Sequence, residues 1–294
     1  MKIPARLIPL AEDGLIDEVL RPLKSGKEAD VFVVRCGNEK RCAKVFKEAN
    51  LRGFKQAAQY QEGRNVRNSR RARAMSKRTR YGQKEQEKAW LSAEVDALYH
   101  LSAAGVRVPR PFGFVDGVLL MELIVDSQGD VAPRLDALSF SAEEAREYHD
   151  LIITQIVRML AAGLIHGDLS EFNVLLDAGG PVIIDLPQAV NAAANNSAAM
   201  MLVRDVDRMR HFFGRFEPEL LESEYGKEMW SRYAGGALDA DTSLTGIYQP
   251  STQDVDLDEV MAIIDAAREE EKERLARLND APEPDDLGDY RTRD

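Results

Sequence analysis

The sequence predicts an α+β protein of two lobes, in which a β-rich first half is joined by one strand to a helical second half. In the first half, Val31 to Val34 and Arg41 to Phe46 are short β-rich runs on either side of a turn. In the second half, Ser141 to Glu144 form a capping box, and apolar residues follow at helical spacing until Gly163. The apolar run Val118 to Ile124 is the strand expected between the lobes.

The composition suits one large or two modest globular domains, since 44% of the 294 residues are hydrophobic and 30% are charged. We predict a first lobe at 1–120, a connecting strand and second lobe at 121–253, and an acidic C-terminal part at 254–294. No apolar run approaches the length of a membrane span, and the first residues lack the apolar core of a signal peptide. We therefore expect a cytoplasmic protein without a membrane partner.

The net charge of −11 is concentrated towards the C-terminus. Residues 254–294 carry fifteen Asp or Glu against six Lys or Arg, whereas residues 64–88 carry ten Lys or Arg against two Asp or Glu. We predict a helix from Val255 to Leu278 and a disordered tail after it, because the tail can bury almost no apolar surface. For the same reason we predict a flexible basic insertion at 60–85.

The segment Leu164 to Gln188 holds the residue types that phosphoryl transfer requires. Asp168 and Asn173 lie on a tight loop, and two short apolar runs around a glycine turn bring Asp185 to the same end of a hairpin. Transfer from ATP needs one group that orients the acceptor hydroxyl and others that hold magnesium. We assign the first task to Asp168 and the second to Asn173 and Asp185, because Mg²⁺ prefers oxygen ligands. The alternative is a plain hairpin with polar loop residues.

A small-residue loop before the first predicted strand is a candidate phosphate cover. Gly26 allows the backbone to approach a phosphate closely, and Ser25 and Lys27 can add hydrogen-bond donors. Taken by itself, this loop is equally compatible with an ordinary hairpin turn.

Three further residues complete the candidate nucleotide site. Lys44 lies on the returning strand of the first lobe, and Glu94 lies on a helix predicted from Glu85 to Ala104. A lysine in a nucleotide site needs an anionic partner, and Glu94 is the carboxylate we expect to supply it. The connecting strand could offer backbone groups to an adenine ring beside Met121, although an ordinary core strand would look the same.

These residues resemble the protein-kinase superfamily and, within it, the RIO family of atypical serine/threonine kinases, over residues 15–235. The resemblance is carried by Ser-Gly-Lys-Glu-Ala-Asp-Val at 25–31, Ala-Lys-Val-Phe-Lys at 43–47, Trp90 before Glu94, His-Gly-Asp-Leu-Ser-Glu-Phe-Asn at 166–173 and Ile-Asp-Leu-Pro-Gln at 184–188. It implies a two-lobed protein-kinase-like fold that lacks an activation segment and a peptide-docking subdomain. Pro187 departs from the small polar residue expected in eukaryotic and archaeal members, which suggests a bacterial branch.

The resemblance also implies a role for each matched residue. Asp168 would be the catalytic aspartate, Asn173 and Asp185 would hold the metal, and Lys44 would pair with Glu94 and the nucleotide. The remaining nucleotide contacts would be Ser25, Gly26 and Lys27 at the phosphates, Met121, Glu122 and Ile124 at the hinge, and Val31, Ala43, Leu175 and Ile184 around adenine. The implied cofactors are ATP and Mg²⁺, with Mn²⁺ as an alternative.

Three functions fit these observations. The first is an ATP- and Mg²⁺-dependent serine/threonine protein kinase of RIO type, which we favour for the loop at 25–31 and the context of Gln188. The second is a small-molecule phosphotransferase of the aminoglycoside or choline kinase type, which shares H-G-D-x-x-x-x-N. The third is a nucleotide-dependent ATPase or assembly factor.

The basic segment 64–88 has two candidate uses. The resemblance implies a flexible loop that is autophosphorylated, and Ser69, Ser76 and Thr79 are the hydroxyl residues it presents. A run of Arg and Lys also suits RNA, a ribosome-related partner or another acidic partner. We predict autophosphorylation, because no aromatic residue lies among the basic residues before Tyr81 to stack on bases.

Overall fold

The computed structural model describes residues 3–26, 29–47 and 93–249. Several of the predictions lie outside the described residues. These are the phosphate contact of Lys27, the insertion at 60–85, the start of the Glu94 helix, and the acidic helix and tail at 254–294.

The first lobe is built on a five-stranded antiparallel sheet with the strand order β1-β2-β3-β5-β4. A 3-10 turn (Ala5–Leu7) and a short helix, α1 (Ile8–Glu12), precede the sheet. The strands are β1 (Glu18–Ser25), β2 (Ala29–Cys36), β3 (Glu39–Phe46), β4 (Pro111–Val115) and β5 (Val118–Glu122).

Strand β1 is an element that the sequence did not clearly predict. It lies at the edge of the sheet, and Val19 is its one buried residue. A strand with so little buried surface does not need alternating apolar and polar residues, and its sequence shows no such alternation. Pro22 is tolerated there because an edge strand can lack one backbone donor. The pairing with β2 shifts its register between Pro22 and Lys24.

The connecting strand is shorter than predicted. We expected it to continue to Ile124, but β5 ends at Glu122. Ile124 instead begins a small loop in which its carbonyl accepts a hydrogen bond from Ala132 N at 3.0 Å. Its side chain is buried against Ala132 and Val182.

The Glu94 helix and the helix after Ser141 were predicted individually from the sequence, whereas the two later helices were expected only as part of a helical second half. The described part of the Glu94 helix, α2, spans 93–103, and α3 (Ala142–Ala161), α4 (Ala198–Phe213) and α5 (Tyr225–Ala234) form the second lobe. Further 3-10 turns lie at Leu135–Ala137, Glu171–Asn173 and Pro218–Glu222. The capping box that opens α3 is confirmed, because Ser141 N donates to Glu144 Oε2 at 2.8 Å. Within the described residues, no helix combines the length and apolar character that a membrane crossing requires.

Two small two-stranded sheets lie between α3 and α4 in the chain. Strand β6 (Leu164–Ile165) pairs with β9 (Val190–Asn191), and β7 (Val174–Asp177) pairs with β8 (Gly180–Ile183), both antiparallel. The β7–β8 pair is the hairpin predicted from the sequence. A continuous hydrophobic core runs from Phe46 and Leu98 in the first lobe to Ile152 and Phe213 in the second. The sheet and the helical lobe thus share one hydrophobic core.

Candidate active site

The loop 166–173 leaves β6 through a backbone turn that favours glycine. Gly167 has a φ of +80°, which a side chain would strain. Asn173 Nδ2 donates to the carbonyl oxygen of Asp168 at 2.9 Å, and Asn173 O accepts from Ile184 N at the same distance. Because of these two bonds, the loop, the start of β7 and the end of β8 form one unit.

Asp185 lies just beyond β8 with an unusual backbone conformation. Its φ is +67°, and among the described residues Asp116, in a turn, is the other non-glycine residue with a positive φ. Aspartate tolerates this region better than most residues, and such conformations concentrate at functional sites. The conformation allows the Asp185 carboxylate to reach Lys44 on the opposite lobe.

Lys44 connects the two lobes through two carboxylates. Its Nζ lies 2.5 Å from Glu94 Oε1 and 2.9 Å from Asp185 Oδ1. Burial alone would lower the pKa of Lys44, but the two carboxylates outweigh it and raise the pKa. Burial would likewise raise the pKa of Asp185, and Lys44 lowers it instead. Lys44 and Asp185 are therefore both charged at neutral pH.

His166 is held in one tautomer by the backbone around it. Its Nδ1 lies 3.3 Å from the amide nitrogen of Asp168, which can only donate. Nε2 must then carry the proton of the neutral ring, and it donates to Ile184 O at 3.1 Å. The imidazole thereby joins the loop to the end of β8 and does not face the cleft as a free base.

Three side chains of helix α4 hold the loop 166–173 in place, and none of them was predicted from the sequence. Asp205, 1% exposed, accepts a hydrogen bond from Gly167 N at 2.7 Å, and Arg204 donates to Gly167 O. Burial raises the pKa of Asp205. Arg208 Nη1 lies 2.8 Å from Asp168 Oδ1. Both the backbone and the carboxylate at the centre of the site are held from this helix.

Arg107 links strand β5 to the β7–β8 hairpin. Its guanidinium lies 2.9 Å from Glu122 Oε2 and 2.5 Å from Asp177 Oδ2. Its amide donates to Gln155 Oε1 at 2.7 Å, and its carbonyl accepts from Ile183 N at 3.0 Å. The Glu122 side chain is therefore directed to Arg107, so only its backbone could serve a nucleotide.

The alternation of β3 corrects one predicted adenine contact. Lys44 pairs in register with Val31 and Leu119, and Cys42 pairs with Val33 and Met121, so these side chains share one face of the sheet. Ala43 points to the opposite face, where it is fully buried in the cluster beneath α1. Ala43 therefore does not share the face of Lys44, and Cys42 lies on that face instead. Val31, Leu175 and Ile184 are half-buried.

The candidate phosphate loop is closed by a polar network. The Ser25 hydroxyl donates to Asp30 Oδ1 at 2.5 Å, and Lys47 Nζ contacts Asp30 Oδ1 and Gly26 O, both at 2.8 Å. Hydrogen bonds from Lys47 and Ser25 lower the pKa of Asp30. The Ser25 hydroxyl hydrogen is thus already used, and a phosphate contact by Ser25 would require this network to rearrange.

The residues at the base of the hairpin fit a magnesium ion. The Asn173 amide nitrogen is directed to the Asp168 carbonyl, so Oδ1 is the atom that remains for a cation. The Asp185 carboxylate is half-exposed and uses Oδ1 for Lys44. Two hard oxygen donors with room for phosphate oxygens and water are what Mg²⁺ prefers.

Comparison with known proteins identifies the family. The family model of the RIO domain matches residues 30–225. The chain belongs to the RIO domain family. A bacterial branch stays a prediction.

Two curated members of the RIO family give the extent of the similarity. The RIO-type serine/threonine-protein kinase Rio1 of Haloferax volcanii is 32% identical over 212 residues, which cover 72% of this chain and 68% of that protein. The human serine/threonine-protein kinase RIO1 is 31% identical over 217 residues, which cover 71% of this chain but 35% of that protein. The similarity thus spans most of the archaeal Rio1 but only a third of the human protein.

A solved RIO structure shares the fold. The Rio2 kinase–ADP/Mg²⁺–phosphoaspartate complex of Chaetomium thermophilum superposes with a TM-score of 0.53 at 24% identity, covering 92% of this chain and 75% of that chain. At this identity the likeness shows the fold, a two-lobed kinase-like α+β architecture with an antiparallel sheet in one lobe and helices in the other. In this chain residues 186–197 alone separate Asp185 from α4.

Proposed function

We propose that this chain is an ATP- and Mg²⁺-dependent serine/threonine kinase of the RIO type. The observation that carries the proposal is the contact of Lys44 with both Glu94 and Asp185, which brings the two lobes together beside Asp168 and Asn173. The small-molecule phosphotransferase alternative is not favoured, because the relatives named above are serine/threonine kinases.

Each residue has a distinct part in the proposed reaction. Asp168 accepts a hydrogen bond from the acceptor hydroxyl and orients it towards the γ-phosphorus. Lys44, held by Glu94, contacts the phosphates of ATP. Asn173 and Asp185 hold Mg²⁺, which neutralises charge on the phosphate oxygens, and Mn²⁺ is an alternative ion.

The nucleotide would lie against the Lys44 face of the sheet. We propose that Val31, Cys42, Leu175 and Ile184 surround adenine, that the backbone at Met121, Glu122 and Ile124 forms the hinge, and that residues 25–27 cover the phosphates. Cys42 replaces Ala43 in this set because of the strand alternation.

The proposal is tested by comparing two aspartate variants in the presence of labelled ATP and Mg²⁺. Asp168→Asn should keep ATP affinity and lower phosphoryl transfer about 100-fold or more. Asp185→Asn should weaken Mg²⁺-dependent nucleotide binding as well, because its proposed role is in metal binding. Transfer to the protein itself and to myelin basic protein is measured, together with ATP affinity by calorimetry. Wild-type turnover by Asp168→Asn would contradict the assignment.

A second candidate function is an ATPase that passes through a phosphoaspartate. It is favoured by the phosphoaspartate in the Chaetomium Rio2 complex. In that reaction an Asp185 oxygen bonds to the γ-phosphorus, the bond to the bridging oxygen breaks, and ADP leaves with the electron pair. Water then hydrolyses the acyl phosphate to inorganic phosphate and the carboxylate. Hydroxylamine-labile label on Asp185 during turnover would support it, and its absence would exclude it.

We propose that residues of the protein itself are among the acceptors of the phosphoryl group. We propose autophosphorylation in residues 60–85. The alternative use of the basic segment 64–88 is binding of RNA or a ribosome-related partner. The hydroxyl residues of the segment support autophosphorylation and its excess of Arg and Lys supports the alternative use; the segment lies outside the described residues. We also propose a cytoplasmic location for the protein.

A further inference from the structure

We propose that Arg208 is a positioning residue that fixes the carboxylate of Asp168 for phosphoryl transfer. The inference rests on the proposed function, because it assigns a partner to the residue that orients the acceptor. Arg208 Nη1 lies 2.8 Å from Asp168 Oδ1 and 3.4 Å from Leu169 O. One guanidinium therefore holds both the side chain of Asp168 and the backbone that follows it.

The arginine is presented by a rigid support. Helix α4 carries it between Val206 and Met209, which are buried in the core, and one turn earlier Arg204 and Asp205 hold the two sides of Gly167. The loop thus has two fixed points on α4, its backbone at Gly167 and its carboxylate at Asp168. A carboxylate with one oxygen fixed presents the other in a defined direction.

The second carboxylate oxygen of Asp168 is accessible to an acceptor. Among the described residues, Oδ2 of Asp168 accepts no hydrogen bond, and the side chain is 51% exposed. Arg208 donates to Oδ1 and so leaves Oδ2 for the acceptor hydroxyl. Without Arg208, the carboxylate could rotate among its rotamers, and misplacement by about 1 Å can reduce a rate by about 100-fold.

The ion pair of Arg208 and Asp168 should contribute little to the stability of the fold. The Arg208 side chain is 39% exposed and Asp168 is half-exposed, and pairs of this kind contribute little to folding. Removing the guanidinium should therefore shift the melting temperature by less than about 3 °C. The loss should appear in turnover and not in stability or ATP binding.

The test compares Arg208→Ala, Arg208→Lys and the control Arg215→Ala. Arg215 lies just beyond the same helix and contacts Phe212 and Phe216, away from loop 166–173. With myelin basic protein as acceptor, Arg208→Ala should lower kcat about 100-fold at an unchanged KM for ATP, and Arg208→Lys should recover part of the loss. Arg215→Ala should retain wild-type kcat.

The pair is separated from other effects by a double variant. If Arg208 acts through Asp168, adding Arg208→Ala to Asp168→Asn should cause no further loss. Wild-type kcat in Arg208→Ala, or a full further loss in the double variant, would overturn the inference while leaving the proposed function intact. Absence of transfer by the wild-type protein would overturn both.

Discussion

Lys44 Nζ lies 2.5 Å from Glu94 Oε1, and the Glu94 side chain is only 8% exposed. A buried carboxylate beside a lysine is stable as a pair, whereas removal of one partner leaves a charge in a low-dielectric environment. The pair is therefore a structural element of the first lobe as well as part of the candidate site.

Replacing Lys44 should separate these two roles. Lys44→Met should abolish phosphoryl transfer and lower the free energy of unfolding by about 3 kcal/mol, because Glu94 stays buried without its lysine. Lys44→Met/Glu94→Gln should regain most of the stability, since an amide carries no charge, but none of the activity. Urea denaturation followed by circular dichroism measures the first effect. Equal stability of the single and double variants would contradict this explanation.

His149 should make the protein sensitive to mild acid. It is fully buried between Phe213 and Tyr225, and neither ring nitrogen has a hydrogen-bond partner among the described residues. Burial lowers its pKa although Asp150, 3.7 Å away, opposes the shift, and Arg210 also lowers it. Below the unfolded pKa of about 6.5, the unfolded chain binds more protons than the folded one. Stability should therefore fall as the pH drops below that value, until the lowered folded pKa is reached.

The substitution His149→Leu should remove this part of the pH dependence. An apolar side chain of similar size leaves no buried polar atom unsatisfied, so we expect about 1 kcal/mol more stability at pH 7.5. At pH 5.5 the gain should be larger, by up to about 1.4 kcal/mol for each unit below 6.5. Urea denaturation at both pH values checks it, with the exposed His211→Gln as control. A gain that is the same at both pH values would contradict the role of His149.

Asp205→Ala should affect the loop from inside the protein. The variant loses a hydrogen bond from Gly167 N to a buried carboxylate, a type of bond that contributes about 1.5–3 kcal/mol. We expect a loss of stability in that range and a lower kcat, because Gly167 precedes Asp168. Asp205→Asn keeps an acceptor oxygen and should lose less of both. If Asp205→Ala matched the wild type in thermal stability, the bond would have no such role.

Autophosphorylation should occur in the basic insertion. Purified protein incubated with ATP and Mg²⁺ should carry phosphate on Ser69, Ser76 or Thr79, as mapped by mass spectrometry. The reaction should be absent in Asp168→Asn. Phosphate found only outside residues 60–85, or equally in the variant, would exclude this proposal.

The sequence predicted the parts of the site that are local in the chain. The β7–β8 hairpin follows from two apolar runs around a glycine turn, and it brings Asn173 and Asp185 to one end whatever the rest of the fold does. The contact of Lys44 with Glu94 was predictable because a lysine in a nucleotide site needs a carboxylate.

The remaining parts depend on long-range packing. Asp205 and Arg208 lie on an amphipathic helix, and no pattern distinguishes polar residues that face a distant loop from those that face solvent. The error at Ala43 is different, because the alternation of β3 was already in the sequence. Counting two residues back from Lys44 gives Cys42, the residue on its face.

The β7–β8 hairpin also limits where the chain can change in length. Asn173 O accepts from Ile184 N, and Val174 pairs with Ile183, so the separation of Asn173 and Asp185 in space is fixed by strand register. One residue inserted into either strand would turn its side chains to the opposite face and displace one of the two oxygens. Residues inserted at the exposed turn, beside Gly179, would extend only the far end of the hairpin. Tags or loops can therefore be placed at that turn without altering the spacing of the candidate metal ligands.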